Sequence, residues 1–290
     1  MGKKIVGLFT MMSNGRKIKV AILDLYEGAP NQGMRCLHQI INQWGEDNKF
    51  PVQLDVFEVR SKVELPDLSY DVFISSGGPG SPIASEGSEW DRKYMNWISH
   101  VEKWNDDFAN YPKKHVFFIC HSFQLACRYF KIGKVCERQS TAFGIFPVHM
   151  TRAGKNEVVF EQMKDPFYAV DSRDYQVIQP NHNRIKELGA EILAIEKERP
   201  HVAHFERAIM AVRFNDYFIG TQVHPEADAV GMSMYLQRED KKTTVIDNHG
   251  EDKWRSMLEH LEDPDKIRWT YDHVLPNFLN AAIEALVPHS

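Results

Sequence analysis

His115-Val116-Phe117-Phe118-Ile119-Cys120-His121-Ser122-Phe123-Gln124 is the stretch that decides the fold. An uninterrupted apolar run of buried-strand composition passes straight into a cysteine and then into a helical pattern ending near Gly133. No turn residue separates the two. Upstream, residues 19–25 read as a strand, the loop Glu27-Gly28-Ala29-Pro30 follows, and Met34, Leu37, Ile40, Ile41 and Trp44 recur at helical spacing. Residues 52–59 alternate as a strand, residues 70–75 form a short apolar run, and a polar, tryptophan-bearing helix is predicted over 89–104. Strand and helix alternating at this spacing predict an α/β protein, with a mostly parallel central sheet between two helical layers. Further strands are expected at 143–150, 190–195, 208–214 and 217–222, and an amphipathic helix at 270–286.

Composition narrows the function classes. The chain has 290 residues, 43% apolar and 26% charged, and 35 basic against 40 acidic side chains give a net charge of −5. That is the profile of a folded globular protein, with ample chain for one large core. The slight acidic balance argues against nucleic acid as a partner. No apolar run approaches the roughly 18 residues of a membrane span, so no membrane association is expected. Residues 1–12 contain only the short apolar stretch Ile5-Val6-Gly7-Leu8-Phe9, too short for a signal peptide, and Val6 stands where a myristoylation signal would want Ser or Thr. Four cysteines without a C-x-x-C suit neither a disulfide framework nor a zinc site. A cytoplasmic location is expected, with no metal and no cofactor. We read residues 1–290 as a single domain, with 1–16 as an extension and the charge-dense stretch 227–266 as an insertion or cap.

Three places could carry chemistry. Cys120 ends a strand and opens a helix, where backbone N–H groups and the helix dipole favour a thiolate; by position alone it could equally be a small buried hydrophobe. Cys127 falls on an apolar stripe with Phe123 and Phe130 and reads as core, as do Cys36 and Cys136. Second, Ser76-Gly77-Gly78-Pro79-Gly80-Ser81 follows a strand and presents bare backbone N–H groups. It fits no dinucleotide or P-loop spacing, which leaves a plain turn or an oxyanion-binding loop. Third, Gly220-Thr221-Gln222-Val223-His224-Pro225-Glu226 ends a strand with a histidine and places a carboxylate two residues on, able to fix the imidazole tautomer.

In this order the three segments resemble the class I glutamine amidotransferase family. Its pattern is a G-[IV]-C-x-G-x-Q elbow, an upstream G-G-P-G loop and a downstream G-x-Q-x-H-P-E. The likeness is to a free-standing glutaminase domain of the GMP synthetase kind. The resemblance implies a flavodoxin-like three-layer αβα fold and a Cys-His-Glu triad of Cys120, His224 and Glu226. It also implies an oxyanion hole from the backbone N–H groups of Gly78 and His121, with Gln124 lining the substrate pocket. Two departures stand out: Phe118 and Ser122 replace both elbow glycines. The family's S-H-G-D substrate loop falls at Ser172-Arg173-Asp174-Tyr175, so Ser172, Arg173 and Asp174 join the substrate-binding candidates and could alter recognition of the α-amino and α-carboxyl groups.

The resemblance implies a cysteine-dependent amide hydrolase acting on glutamine or a γ-glutamyl compound through a thioester. The length leaves no room for a fused synthetase, so an amidotransferase would pass ammonia to a separate synthetase subunit. Hydrolysis of γ-glutamyl peptides would need no such partner. A non-catalytic or regulatory binding module on the same scaffold is the reading from another class.

Overall fold

The computed structural model describes residues 16–29, 31–199, 206–263 and 266–286; Pro30 and all but the last residue of the 1–16 extension lie outside them. The chain begins with β1 (Ile18–Asp24), α1 (Gln32–Asn48), β2 (Val52–Glu58) and β3 (Val72–Ser75). It continues through α2 (Glu89–Asp106), β4 (His115–Ile119) and α3 (His121–Phe130). β5 (Lys134–Met150), β6 (Phe167–Ile178), α4 (His182–Leu188), β7 (Glu191–Glu196), β8 (Ile209–Arg213) and β9 (Phe218–Thr221) follow. Four helices close the described chain: α5 (Ala229–Leu236), α6 (Glu239–His249), α7 (Glu251–Glu262) and α8 (Ile267–Glu284).

The strands form one sheet in the order β2-β1-β3-β4-β9-β8-β7-β5-β6. From β2 to β9 every pairing is parallel. From β9 to β6 every pairing is antiparallel. The sheet is therefore mixed, with its parallel half carrying the strand-to-helix crossovers expected from the sequence.

Alternation along the strands sorts the core into two layers. Val20 and Ile22 of β1 share one core with Leu37, Ile40 and Ile41 of α1 and with Val274, Phe278 and Leu279 of α8. Ala21 and Leu23 face the other way, into a core with Tyr94, Trp97 and Ile98 of α2 and Phe123 and Cys127 of α3. The central strands β3 and β4 are buried along their whole length, as strands covered on both faces must be. This is the three-layer αβα architecture of a flavodoxin-like fold.

Two expectations change. β5 starts at Lys134, well before the predicted 143. Residues 172–175, expected as a loop, lie within β6, which pairs antiparallel with β5 from Lys134↔Ile178 to Val148↔Phe167 with an irregularity between Glu137 and Ala142. The stretch 227–266 forms α5, α6 and α7, packed on β5 through contacts such as Phe143 with Tyr235, and Val245, Met257 and Leu236 share a small core there.

Candidate active site

β4 delivers Cys120 at φ +48°, ψ −97°, a conformation that L residues adopt only under constraint. The turn is pinned at both ends. The Cys120 N–H donates to the Thr221 carbonyl at 2.8 Å, and the Cys120 carbonyl accepts from the Gln124 N–H at 3.0 Å. Ser122, in place of the family glycine, accepts from the Ile119 N–H at 2.8 Å and donates to the Ser75 carbonyl at 2.7 Å, tying the elbow to β3. Phe118 is accommodated by its neighbour across the ladder. A Cβ on Gly220 would lie 2.8 Å from the Phe118 carbonyl oxygen and 2.9 Å from its Cβ, so glycine there makes the space. The Phe118 ring packs edge-on against Phe214 and Phe218.

The glycine loop lies beside this turn and His224. A Cβ on Gly78 would run into the Leu25 carbonyl, and one on Gly77 would lie 2.7 Å from His224 Cε1. Only bare backbone lets the loop slide between the end of β1 and the imidazole. Arg60 holds the loop from outside, donating to the Pro79 carbonyl at 2.5 Å and the Leu25 carbonyl at 3.2 Å while lying over the Trp90 ring. The N–H groups of Gly78 and His121 enter none of the backbone hydrogen bonds of the described turns and caps. The His121 side chain is buried against Trp90; burial, reinforced by Arg60 and Arg128, lowers its pKa to about 3 and keeps it neutral.

His224 leaves β9 and is anchored by its N–H to the Val170 carbonyl of β6 at 2.9 Å. Its Nδ1 lies 2.8 Å from Glu226 Oε1, and the imidazole stands within electrostatic reach of Cys120. Burial alone would lower its pKa. Interaction with Cys120 and Glu226 outweighs that and raises it well above the ordinary value, so the imidazolium is favoured. Burial pushes Cys36 up to about 12 and drives Cys127 upward as well, leaving both as inert thiols.

The remaining candidates divide. Gln124 donates to the Tyr175 carbonyl at 3.1 Å and to Gln222 Oε1 at 3.2 Å. The Ser172 carbonyl lies 3.7 Å from Cys120 Sγ, so its backbone reaches the thiol. Asp174 is exposed and accepts from Thr141 Oγ1 at 2.5 Å. Arg173 turns inward, where its Nε pairs with Asp171 at 2.9 Å and its Nη2 lies 3.4 Å from Glu196. Arg138 and Arg199 complete this buried charge cluster around Glu196.

Sequence reasoning gave no role to Gln222, whose Nε2 lies 3.6 Å from Cys120 Sγ, nor to Tyr26, which stands at the end of β1. Gln222 lies one residue past β9 and two before His224, so its nearness to the histidine in sequence was the available signal. For Tyr26 the signal was its place at the carboxyl end of a parallel strand, where ligands bind in such sheets. Among the described residues no group of three or more His, Cys, Asp or Glu side chains could hold a metal, and no helix is long and apolar enough to cross a membrane.

With elbow, glycine loop and histidine limb converging, comparison with known proteins settles the family. The sequence model of the class I glutamine amidotransferases matches residues 35–239. The chain belongs to that family. Among solved structures, a glutamine amidotransferase from Thermotoga maritima superposes with a TM-score of 0.65 at 13% identity, covering 92% of this chain and 99% of its own. A glutamine amido transferase from Methylobacillus flagellatus gives 0.61 at 13%, covering 92% and 96%. A putative GMP synthase component from Thermoplasma acidophilum gives 0.55 at 13%, covering 92% and 94%. At such identities the likeness is one of fold. A search of curated proteins finds no match.

Proposed function

We propose that this protein is a cysteine-dependent amide hydrolase that releases ammonia from glutamine or a γ-glutamyl amide through a thioester. The observation that carries the reading is the linked set of a strained Cys120, a His224 within electrostatic reach of it, and Glu226 at 2.8 Å from His224 Nδ1. The Cys120 thiolate attacks the carboxamide carbon, and the oxygen of the tetrahedral intermediate takes hydrogen bonds from the N–H groups of Gly78 and His121. The His224 imidazolium gives its proton to the departing nitrogen, which leaves as ammonia. Neutral His224 then takes a proton from water, whose oxygen attacks the thioester, and the carboxylic acid and thiolate are released. Glu226 holds the tautomer throughout.

Gln124 and the Ser172 backbone would line the acyl side of the pocket, with Asp174 at its rim. Arg173, turned inward, would act on the substrate through its charge. Ammonia would go either to a separate synthetase partner, as the likeness to a putative GMP synthase component suggests, or to solvent if the substrate is a γ-glutamyl peptide. All four cysteines are unpaired, which suits a reducing cytoplasm.

The test is direct. A Trypanosoma brucei glutaminase domain was solved with bound acivicin, and this electrophile should label Cys120 here. Ammonia and glutamate should appear from glutamine or from γ-glutamyl amides and vanish in Cys120→Ala. Ammonia release that requires an added synthetase favours the amidotransferase arm; unaided hydrolysis of γ-glutamyl peptides favours the hydrolase arm. A wild-type protein that neither takes the label nor turns over any of these amides would leave only the binding-module reading.

A further inference from the structure

We propose that Tyr26 is a positioning residue of the triad, its phenol holding the Glu226 carboxylate that in turn orients His224. The inference rests on the catalytic reading above and extends it to a residue outside the three motifs.

Tyr26 follows β1 in a tight turn. Its N–H donates to Asp24 Oδ1 at 2.7 Å, and its carbonyl accepts from the Ala29 N–H at 3.0 Å. The turn sends the side chain across the carboxyl end of the sheet, between two glycines. A Cβ on Gly33, in the first turn of α1, would lie 2.7 Å from Tyr26 Oη and 3.3 Å from Glu226 Oε1. A Cβ on Gly77 would lie 3.2 Å from the same Oη and 2.7 Å from His224 Cε1. The hydroxyl therefore sits close to both the Glu226 carboxylate and the His224 imidazole. Two chain segments give up their side chains to make room for it.

Hydrogen-bond supply and demand point the same way. Glu226 is buried; its Oε1 is taken by His224, and its Oε2 is buried without a partner. An ionised carboxylate left half-satisfied in a buried site is costly. Among the described residues the Tyr26 hydroxyl donates to nothing else, so a small rotation of the phenol brings its one donor to the carboxylate. It stays protonated: burial first, then the charges of Glu226 and Cys120, push its pKa well above the ordinary value. The titratable or charged groups facing this pair are Asp24 of β1, Arg35 and Cys36 of α1, Cys120, His224 and Asp228. Asp228 is engaged by Arg35 at 2.7 Å. Asp24 accepts from the Tyr26 N–H. Held in place, Glu226 supports the imidazolium, and the imidazolium supports the thiolate. Released, it weakens both.

The experiment follows iodoacetamide alkylation of Cys120 in the full-length protein as a function of pH, which needs no knowledge of the natural substrate. Tyr26→Phe keeps the ring and removes the hydroxyl. It should slow alkylation at pH 7 about three- to tenfold and move the midpoint of thiolate formation upward, with the melting temperature little changed. Gly33→Ala, which keeps the phenol but crowds it and the carboxylate, should shift the midpoint in the same direction. A purely structural Tyr26 would lower the melting temperature and leave the midpoint alone, and that result, or a wild-type profile in both variants, overturns the inference. Wild-type Cys120 reacting no faster than a free thiol would instead sink the catalytic reading itself, and the inference with it.

Discussion

Ser122 has a hydroxyl where the family's elbow carries glycine, and that hydroxyl joins two strands. It satisfies the Ile119 N–H and the Ser75 carbonyl, both in the buried parallel sheet. Ser122→Gly restores the family residue yet strands a buried donor and acceptor, so it should lower stability by about 1–3 kcal/mol in urea unfolding. Equal or greater stability would show that the hydroxyl is incidental. The opposite case is Gly220, where Ala would be driven into the Phe118 carbonyl; strain of this kind costs about 1–3 kcal/mol. Because the obstructing atom is backbone, trimming Phe118 to Ala should not rescue Gly220→Ala, and a rescue would disprove the crowding. At this scale much of the site could be read from residue types in order. Cys120, His224 and Glu226 are short-range features of two segments, and the His224–Glu226 pair is made at 2.8 Å. Tyr26 was not legible because its role depends on Gly33 and Gly77 making room, a relation between segments that no local pattern carries.

Arg128 joins three elements. From α3 it donates to the Pro82 carbonyl of the glycine loop and pairs with Asp91 of α2, a buried carboxylate that also accepts from the Gly87 N–H at 3.0 Å. Arg128→Met should leave Asp91 buried and charged without its counter-ion, at about 3–5 kcal/mol. Asp91→Asn in the same chain should recover part of that loss, since it removes the orphaned charge. Additive effects in the double-mutant cycle would mean that the pair is not coupled. The elements themselves were legible where one face is uniformly apolar. α1 and α8 came through their periodicity, and β4 through its unbroken apolar run. β6 did not, because Asp171 and Arg173 take inward positions that the strand pattern assigns to apolar side chains. They can be buried only because each neutralises the other, with Glu196 of β7 balancing Arg138 and Arg199. That partner lies on another strand and is invisible to a scan of the chain.

For the whole molecule, acid should loosen the fold through histidines that were buried neutral. His115 opens β4 against the Tyr217 ring, and burial, helped by the nearby Arg213, lowers its pKa to about 4; His121 beneath the glycine loop is lowered to about 3. An unfolded chain protonates both near pH 6.5. Between that value and their folded pKa values, the unfolded state therefore binds more protons, and stability falls as the pH drops. Each histidine contributes a slope of about 1.4 kcal/mol per pH unit in that window. His224 runs the other way. Its folded pKa is raised, so its contribution is complete below pH 6.5 and is lost only as the pH rises through the folded value. The acid slope thus belongs to His115 and His121, together with whatever carboxylates titrate lower down. Urea unfolding at intervals from pH 4.5 to 7.5 should give a steep loss in the wild type. The slope should flatten by about one proton in His115→Gln or His121→Gln and by about two in the pair. If the double variant kept the full slope, these imidazoles would have to be protonated in the folded protein, and the neutral, water-excluding packing around the nucleophile turn would be wrong.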